Sequence, residues 1–145
     1  MLEIEVTEST FMGDTKAVTD QLYSLQEAGV RIAIDDFGTG YSCLSYLQDL
    51  PLNTLKIDRS FVRRLSEGDP EHSVVHMITQ LANGLGIETV AEGVETSDQS
   101  NRVADIGCDL IQGFYYAKPQ SADQIEDVVE HIRTQHHVQL NTKAA

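Results

Sequence analysis

The chain has 145 residues, with 10 Lys and Arg against 23 Asp and Glu, a formal charge of −13. That length suits one domain with a core of its own, and the charge repels nucleic-acid backbones while favouring divalent cations, which argues against DNA or RNA as a partner. No apolar run is long enough to span a bilayer, no leader pattern opens the sequence, and Cys43 and Cys108 form no CxxC pair, so it reads as cytoplasmic with two free thiols.

Strand and helix signals alternate from the start. A strand is expected over 2–6. Asp14 is placed to cap a helix whose apolar residues Val18, Leu22 and Leu25 recur at helical spacing, with Gly29 as its stop. A buried strand follows over 31–34, then a short helix over 42–50 ended by Pro51, then a strand over 55–58 and a helical turn over 61–65. Asp69 before Pro70 reads as the cap of a helix carrying Val74, Ile78, Leu81 and Leu85, with Gly84 and Gly86 ending it. A strand over 87–91, a polar helix over 96–106 and a strand over 109–111 come next. Ser121 and Gln124 suggest a capping box for a last amphipathic helix with Ile125, Val128, Val129 and Ile132. Residues 135–145 are polar and aperiodic, and are read as a frayed tail after a domain over 1–134. Strands separated by helices imply α/β architecture, about five parallel strands with flanking helices: part of a TIM-type (β/α) barrel, since eight units need roughly 250 residues.

The acidic residues fall at the ends of these strands. Glu5 and Glu8 close the first, Asp35 and Asp36 the second, Lys56 and Asp58 lie in the third, Glu92 and Glu95 follow the fourth, and Gln112 the fifth. In a barrel of βα units the C-terminal strand ends share one face, and that face carries the chemistry. Carboxylates gathered there suit Mg²⁺ or Mn²⁺, which prefer oxygen ligands. Adjacent Asp35 and Asp36 are expected to point to different sides, reaching two metals or a metal and a water. Taken alone, the same pair before Gly38 is ordinary turn chemistry. Lys56 and Asp58 are expected on the inner side of one strand; Lys56 reads as a structural ion pair, a cation orienting the attacking water, or a Schiff-base nucleophile. Glu92 is a metal ligand or general base and Glu95 a loop brace; Glu5 lies inside, and Glu8 either braces the loop or caps the next segment. His72 and His76, four apart on one helix, read as a solvated face rather than a zinc site.

The segments EVTES (5–9), DDFGTGYS (35–42), KIDRSFV (56–62), VAEGVE (90–95) and QGFYYAKP (112–119) resemble, in order, the EAL family of cyclic di-GMP phosphodiesterases. The resemblance implies a modified TIM barrel and two-metal hydrolysis of cyclic di-GMP to linear pGpG. Glu5 then resembles a ligand of the first metal, Asp35 one shared between metals, Asp36 one of the second, and Glu92 a ligand or base. Lys56 resembles the contact to water and scissile phosphate. Asp58 and Gln112 fall on the substrate side, and Glu8 and Glu95 resemble braces of the DFGTGYS loop. Cys43 stands where a Ser is usual. The Glu-Ala-Leu string does not occur in the sequence. The resemblance therefore implies the C-terminal portion of the domain, without that Glu and an Asn on the next strand. It also implies self-association or a complementary barrel half, and impaired hydrolysis by this chain alone. The other readings are a non-catalytic module binding cyclic di-GMP or a protein, and a Schiff-base barrel enzyme.

Overall fold

The computed structural model describes residues 2–12, 15–40, 47–65 and 73–142. Five strands, β1 (Glu3–Thr7), β2 (Arg31–Phe37), β3 (Thr54–Ile57), β4 (Glu88–Ala91) and β5 (Leu110–Ile111), form one parallel sheet in the order β1-β2-β3-β4-β5. Helices α1 (Thr15–Glu27), α2 (Arg59–Arg64), α3 (Val74–Leu85) and α4 (Ser97–Ile106) connect them, and α5 (Ile125–Thr142) follows the last strand. Among the described residues the sheet does not close: β1 and β5 are its edges. A partial barrel of five parallel strands with flanking helices is what the strand and helix alternation predicts.

Side-chain alternation divides the sheet into two unlike faces. Ile32, Ile34, Leu55 and Ile57 point to the helices and are buried with Leu22, Val75, Ile78, Ala82 and Val103 in one core. The opposite, inner face carries Glu3, Glu5, Arg31, Asp35, Lys56, Glu88 and Glu92, joined by ion pairs across the strands. Burying one face of each strand under helices fixes the register, because a slip of one residue would turn the charged row into the core.

Several local details differ from the sequence expectations. Strand β2 does not stop at Ile34 but runs through Asp35, Asp36 and Phe37, with a shift of register against β3 between Ile34 and Phe37. The helix expected over 42–50 is a 3₁₀ turn over Leu47–Asp49, its earlier part lying outside the described residues together with Asp14, Cys43, Asp69, Pro70 and His72. Helix α3 is capped by Ser73, whose hydroxyl accepts from the His76 N–H, and ends at Gly86 in the left-handed conformation. The Ser121–Gln124 capping box does not form: the Ser121 hydroxyl donates to the Gln124 side-chain oxygen and leaves the backbone uncapped. The box is instead at Thr96 and Gln99, opening α4. Finally, α5 continues through residues read as a tail. No Gly or Pro lies between Ile132 and Ala145, so each added residue gains a backbone bond once the helix has started.

Candidate metal and phosphoester site

The inner face is built in rungs. At the N-terminal end of the strands, Arg31 donates through Nε to Glu3 (3.0 Å) and through Nη2 to Glu88 (2.8 Å) and Thr54 Oγ1 (3.0 Å), tying β1, β2, β3 and β4 together. A shallow concavity of about 350 Å³ lies over this rung, lined by Glu3, Arg31, Thr54, Glu88, Val90 and Leu110. It sits at the end of the strands away from the convergent carboxylates, and its charges are already paired, so the chemistry belongs to the other end.

One rung up, Lys56 is almost wholly buried, and its ammonium touches three carboxylates: Glu5 Oε1 at 2.7 Å, Asp35 Oδ1 at 2.9 Å and Glu92 Oε1 at 2.9 Å. Burial disfavours the charged amine, but the bonds from Glu5, Glu92 and Asp35 outweigh it and raise the Lys56 pKa well above its usual value. Lys56 is thus held as an ammonium, the wrong protonation state for a Schiff-base nucleophile.

Above Lys56, carboxylate oxygens of Asp35, Asp36 and Glu92 lie within 4.8 Å of one another. The expectation that Asp35 and Asp36 diverge is therefore corrected. Asp36 has φ of 52°, in the left-handed region, which ordinary residues adopt at a cost of roughly 1–3 kcal/mol. This turn, with the register shift beside it, sends Phe37 into the helix-side core and keeps Asp36 on the same side as Asp35. Strain is stored where two neighbouring carboxylates must converge. The Asp36 carboxyl is pushed up in pKa, by loss of hydration first and then by repulsion from Asp35 and Asp58.

The donor set of this centre suits a cation. Asp35 Oδ1 is buried and is met by the Lys56 ammonium at 2.9 Å, with no other donor among the described residues. One ammonium, that of Lys56, offsets only part of the charge of Glu5, Asp35, Asp36 and Glu92, which leaves net negative charge at one point for a cation to meet. Three convergent carboxylates fit a hard divalent ion of the Mg²⁺ or Mn²⁺ type.

The remaining predicted residues fall around this centre. Asp58 caps α2, accepting from the Ser60 N–H at 2.9 Å. Burial opposes its ionisation, yet the Ser60 bonds outweigh it and lower its pKa. Glu8 is buried and accepts from the Gly38 N–H, tying the 3₁₀ turn over Glu8–Met12 to the start of the GTG loop. Glu95 is exposed, and its backbone N–H donates to Gln99 Oε1 at 2.8 Å. Gln112 is exposed at the rim, held by backbone bonds to Ala91 O and from Val94 N. Glu5 sits on Lys56, outside the three-carboxylate cluster. His76 belongs to no cluster of metal-type ligands among the described residues.

Two glycines that sequence reading passes over hold this rim together. Gly93 has φ of 66°, and a Cβ there would meet Arg59 Cβ at 2.4 Å; one on Gly113 would meet the Val94 carbonyl oxygen at 2.1 Å. The signal that could have found them is a Gly directly after a candidate site residue, Glu92 or Gln112, where two loops approach closely.

The family model described as the EAL domain matches residues 1–119. The chain belongs to the EAL domain family. A cyclic di-GMP phosphodiesterase of Pseudomonas aeruginosa is 44% identical over 126 residues, which is 87% of this chain and 22% of that protein. MucR of the same organism, a bifunctional diguanylate cyclase/cyclic di-GMP phosphodiesterase, is 45% identical over 124 residues, 86% of this chain and 18% of that one. The solved complex of the PaMucR phosphodiesterase with c-di-GMP has a TM-score of 0.79, 45% identity, and covers 86% of this chain and 50% of that chain. Klebsiella pneumoniae BlrP1, solved as a manganese/cy-diGMP complex, has a TM-score of 0.73 and 36% identity over 81% of this chain and 30% of its own. This EAL chain therefore spans about a fifth of these curated relatives and half or less of the solved chains.

Proposed function

We propose that this EAL chain supplies the metal-binding and water-orienting part of a cyclic di-GMP phosphodiesterase, hydrolysing cyclic di-GMP to linear pGpG in bacterial second-messenger signalling. The observation that carries the reading is the buried Lys56 ammonium holding Glu5, Asp35 and Glu92 beneath the convergent Asp35, Asp36 and Glu92 carboxylates. Relatives solved with the dinucleotide, one of them with manganese, support it.

In this reading Asp35, Asp36 and Glu92, with Glu5 beside them, hold Mg²⁺ or Mn²⁺. The bound ions supply Lewis acidity and an activated water. Lys56 fixes the carboxylates in place and offers positive charge to the scissile phosphate, an electrostatic role that requires its ammonium form. Glu92 has Oε1 held by Lys56, which leaves Oε2 either to meet the ion or, in place of that, to take a proton from water. Asp58 stiffens the start of α2 beside Asp36, and Gln112 closes the rim on the substrate side. Glu8, through Gly38, and Glu95 brace the loop that follows Phe37. The cytoplasm, where such a messenger would be made and read, is the proposed location; no helix of the described residues is long and apolar enough to cross a membrane.

Turnover by this chain alone is expected to be weak. The sheet is open on both edges, and the Glu5 carboxylate is half exposed, so water screens the electrostatics that the chemistry needs. The open inner face also suits the second reading, a module that binds cyclic di-GMP without cleaving it. The deciding assay is cyclic di-GMP hydrolysis with Mg²⁺ or Mn²⁺, resolved by chromatography for pGpG. Product that vanishes with chelator and with Lys56→Ala supports the phosphodiesterase. Binding without product, even after strands are supplied beside β1, supports the second reading.

A further inference from the structure

Two segments that carry site residues touch at Gly93 with no flexible atom between them. One is the start of α2, where Asp58 caps the helix and Arg59 is its first residue. The other is the chain leaving β4, where Glu92 is followed by Gly93 and Val94. A Cβ on Gly93 would meet Arg59 Cβ at 2.4 Å and Arg59 Cα at 3.4 Å. Non-bonded carbon atoms rest at about 3.5–4.0 Å, so a methyl group there demands a shift on the order of 1 Å. Arg59 Cβ is fixed to the backbone, unlike the end of a long side chain, so the shift falls on one of the two segments.

Both segments are held from behind. Helix α2 is anchored by Val62 and Leu65, which are wholly buried, and by the bond from the Ser60 N–H to Asp58. On the other side, Glu92 N–H donates to Ile57 O at 3.1 Å, Val94 N–H to Gln112 O at 3.2 Å, and Tyr115 N–H to Val94 O at 3.0 Å. Val94 is wholly buried in the core, although Glu92, two residues earlier, lies on the inner face. Residues two apart on a strand share a face, so the left-handed turn at Gly93, with φ of 66°, is what sends the two to different sides. Neither segment can retreat without moving a carboxylate. Retreat of α2 takes Asp58 from beside Asp36, and retreat of the other segment draws Glu92 off Lys56 and away from Asp35 and Asp36.

We propose that Gly93 is a positioning residue for the metal centre: its bare Cα sets the spacing between the segment bearing Glu92 and the segment bearing Asp58, and with it the distance of Glu92 from Asp35 and Asp36. The proposal rests on the phosphodiesterase reading and deepens it by naming what holds one ligand in register with the others. Mg²⁺ and ions like it demand near-ideal ligand geometry, so a carboxylate displaced on the order of 1 Å is lost to the ion rather than accommodated.

The test is a double-variant cycle read by Mn²⁺ calorimetry and by thermal melting. Mn²⁺ is titrated into wild type, Gly93→Ala, Arg59→Gly and the variant with both changes, and Asp35→Ala defines the binding that belongs to the centre. Gly86→Ala is the control: Gly86 ends α3 with φ of 70° and an added Cβ meets nothing within 4 Å, so alanine there carries the same backbone strain without a collision. The expected result is about 10–100-fold weaker binding by Gly93→Ala, the range for losing a group that orients metal ligands, and wild-type binding by Gly86→Ala. In the Arg59→Gly background, where the colliding Cβ has gone, Gly93→Ala should cost no more than about twofold, the spread of independent sites. The melting temperature should not recover with it, because alanine remains in the left-handed conformation, and this separates positioning from stability. Wild-type affinity in Gly93→Ala, or an equal loss with and without Arg59→Gly, would overturn the positioning role and leave the metal-site reading intact. If Gly93→Ala does not fold, the double variant decides: affinity at the level of Arg59→Gly supports the role, and a tenfold loss overturns it. No Asp35-dependent binding by wild type would overturn both readings.

Discussion

At the scale of the residue, the site depends on a few side chains whose positions are over-determined. Lys56 is the clearest. Its three carboxylate contacts compensate a cation that burial would otherwise expel, and that cation is what keeps Asp35 and Glu92 close together. The Lys56→Ala variant should lose at least about a hundredfold in hydrolysis, the scale of removing one electrostatic donor from a transition state. Its affinity for Mn²⁺ should be retained or increased, because a competing positive charge has gone. Calorimetric titration with Mn²⁺ beside the hydrolysis assay separates the two; loss of metal affinity with Lys56→Ala would mean that the lysine only shapes the site. Gly113 tests the rim. A Cβ there would collide with the backbone of Val94, which cannot swing aside as a side chain can. Gly113→Ala should cost about 3 kcal/mol of stability, at the upper end for overpacking, measured by urea unfolding. An unchanged midpoint would show that the two loops are not locked.

At the scale of the element, short strands need help from their ends. Strand β5 has two residues and only two paired positions on β4. Its start is fixed by Asp109, whose carboxylate accepts from the Thr89 N–H (2.8 Å) and hydroxyl (2.7 Å), while Thr89 Oγ1 accepts from the Asp109 N–H. The Thr89 N–H first, and the hydroxyl next, lower the Asp109 pKa below its ordinary 3.8. A depressed carboxylate stabilises the fold above its unfolded pKa, and the contribution disappears as pH falls through the folded value. Asp109→Asn should therefore reduce stability by up to about 1 kcal/mol at about pH 6, a magnitude kept small by solvent exposure, and by progressively less as the pH falls through the folded pKa. A deficit that does not shrink as the pH is lowered would place the effect in packing rather than charge. Helix α4 gives a second test. Thr96→Ala removes a reciprocal capping box and should cost about 1 kcal/mol, whereas Ser121→Ala, which removes no backbone cap, should cost little. Thermal unfolding of the two variants compares them directly.

At the scale of the whole molecule, a five-stranded sheet with helices on one side leaves a charged inner face and two strand edges in water. Edges invite pairing, and β1, five residues long, is the longer of the two. Sedimentation at rising concentration should show association, and addition of about 1 mM Mn²⁺ should raise the melting temperature by binding only the folded state. Asp35→Ala should abolish that rise, since it removes a ligand of the three-carboxylate cluster. An equal rise in the variant would place the ion elsewhere on a surface of net charge −13.

The residue types and their order determined much of this. Helical spacing of apolar residues in α1 and α3, and the short apolar runs between helices, marked the elements and their order, because burial of a helix face demands that period. Acidic groups at strand ends marked one functional rim, because parallel βα units bring those ends to one side. Tertiary structure decided the rest. Asp35 and Asp36 converge only because a left-handed turn and a register shift break the alternation that the strand pattern implies. Lys56 is shared among Glu5, Asp35 and Glu92, residues up to 51 positions away, and no local pattern specifies a contact of that range. The cap of α4 won over the one expected at Ser121 because capping depends on backbone geometry as well as on residue identity. Gly93 and Gly113 are required by loops from other parts of the chain, so their constraint exists only once those loops meet.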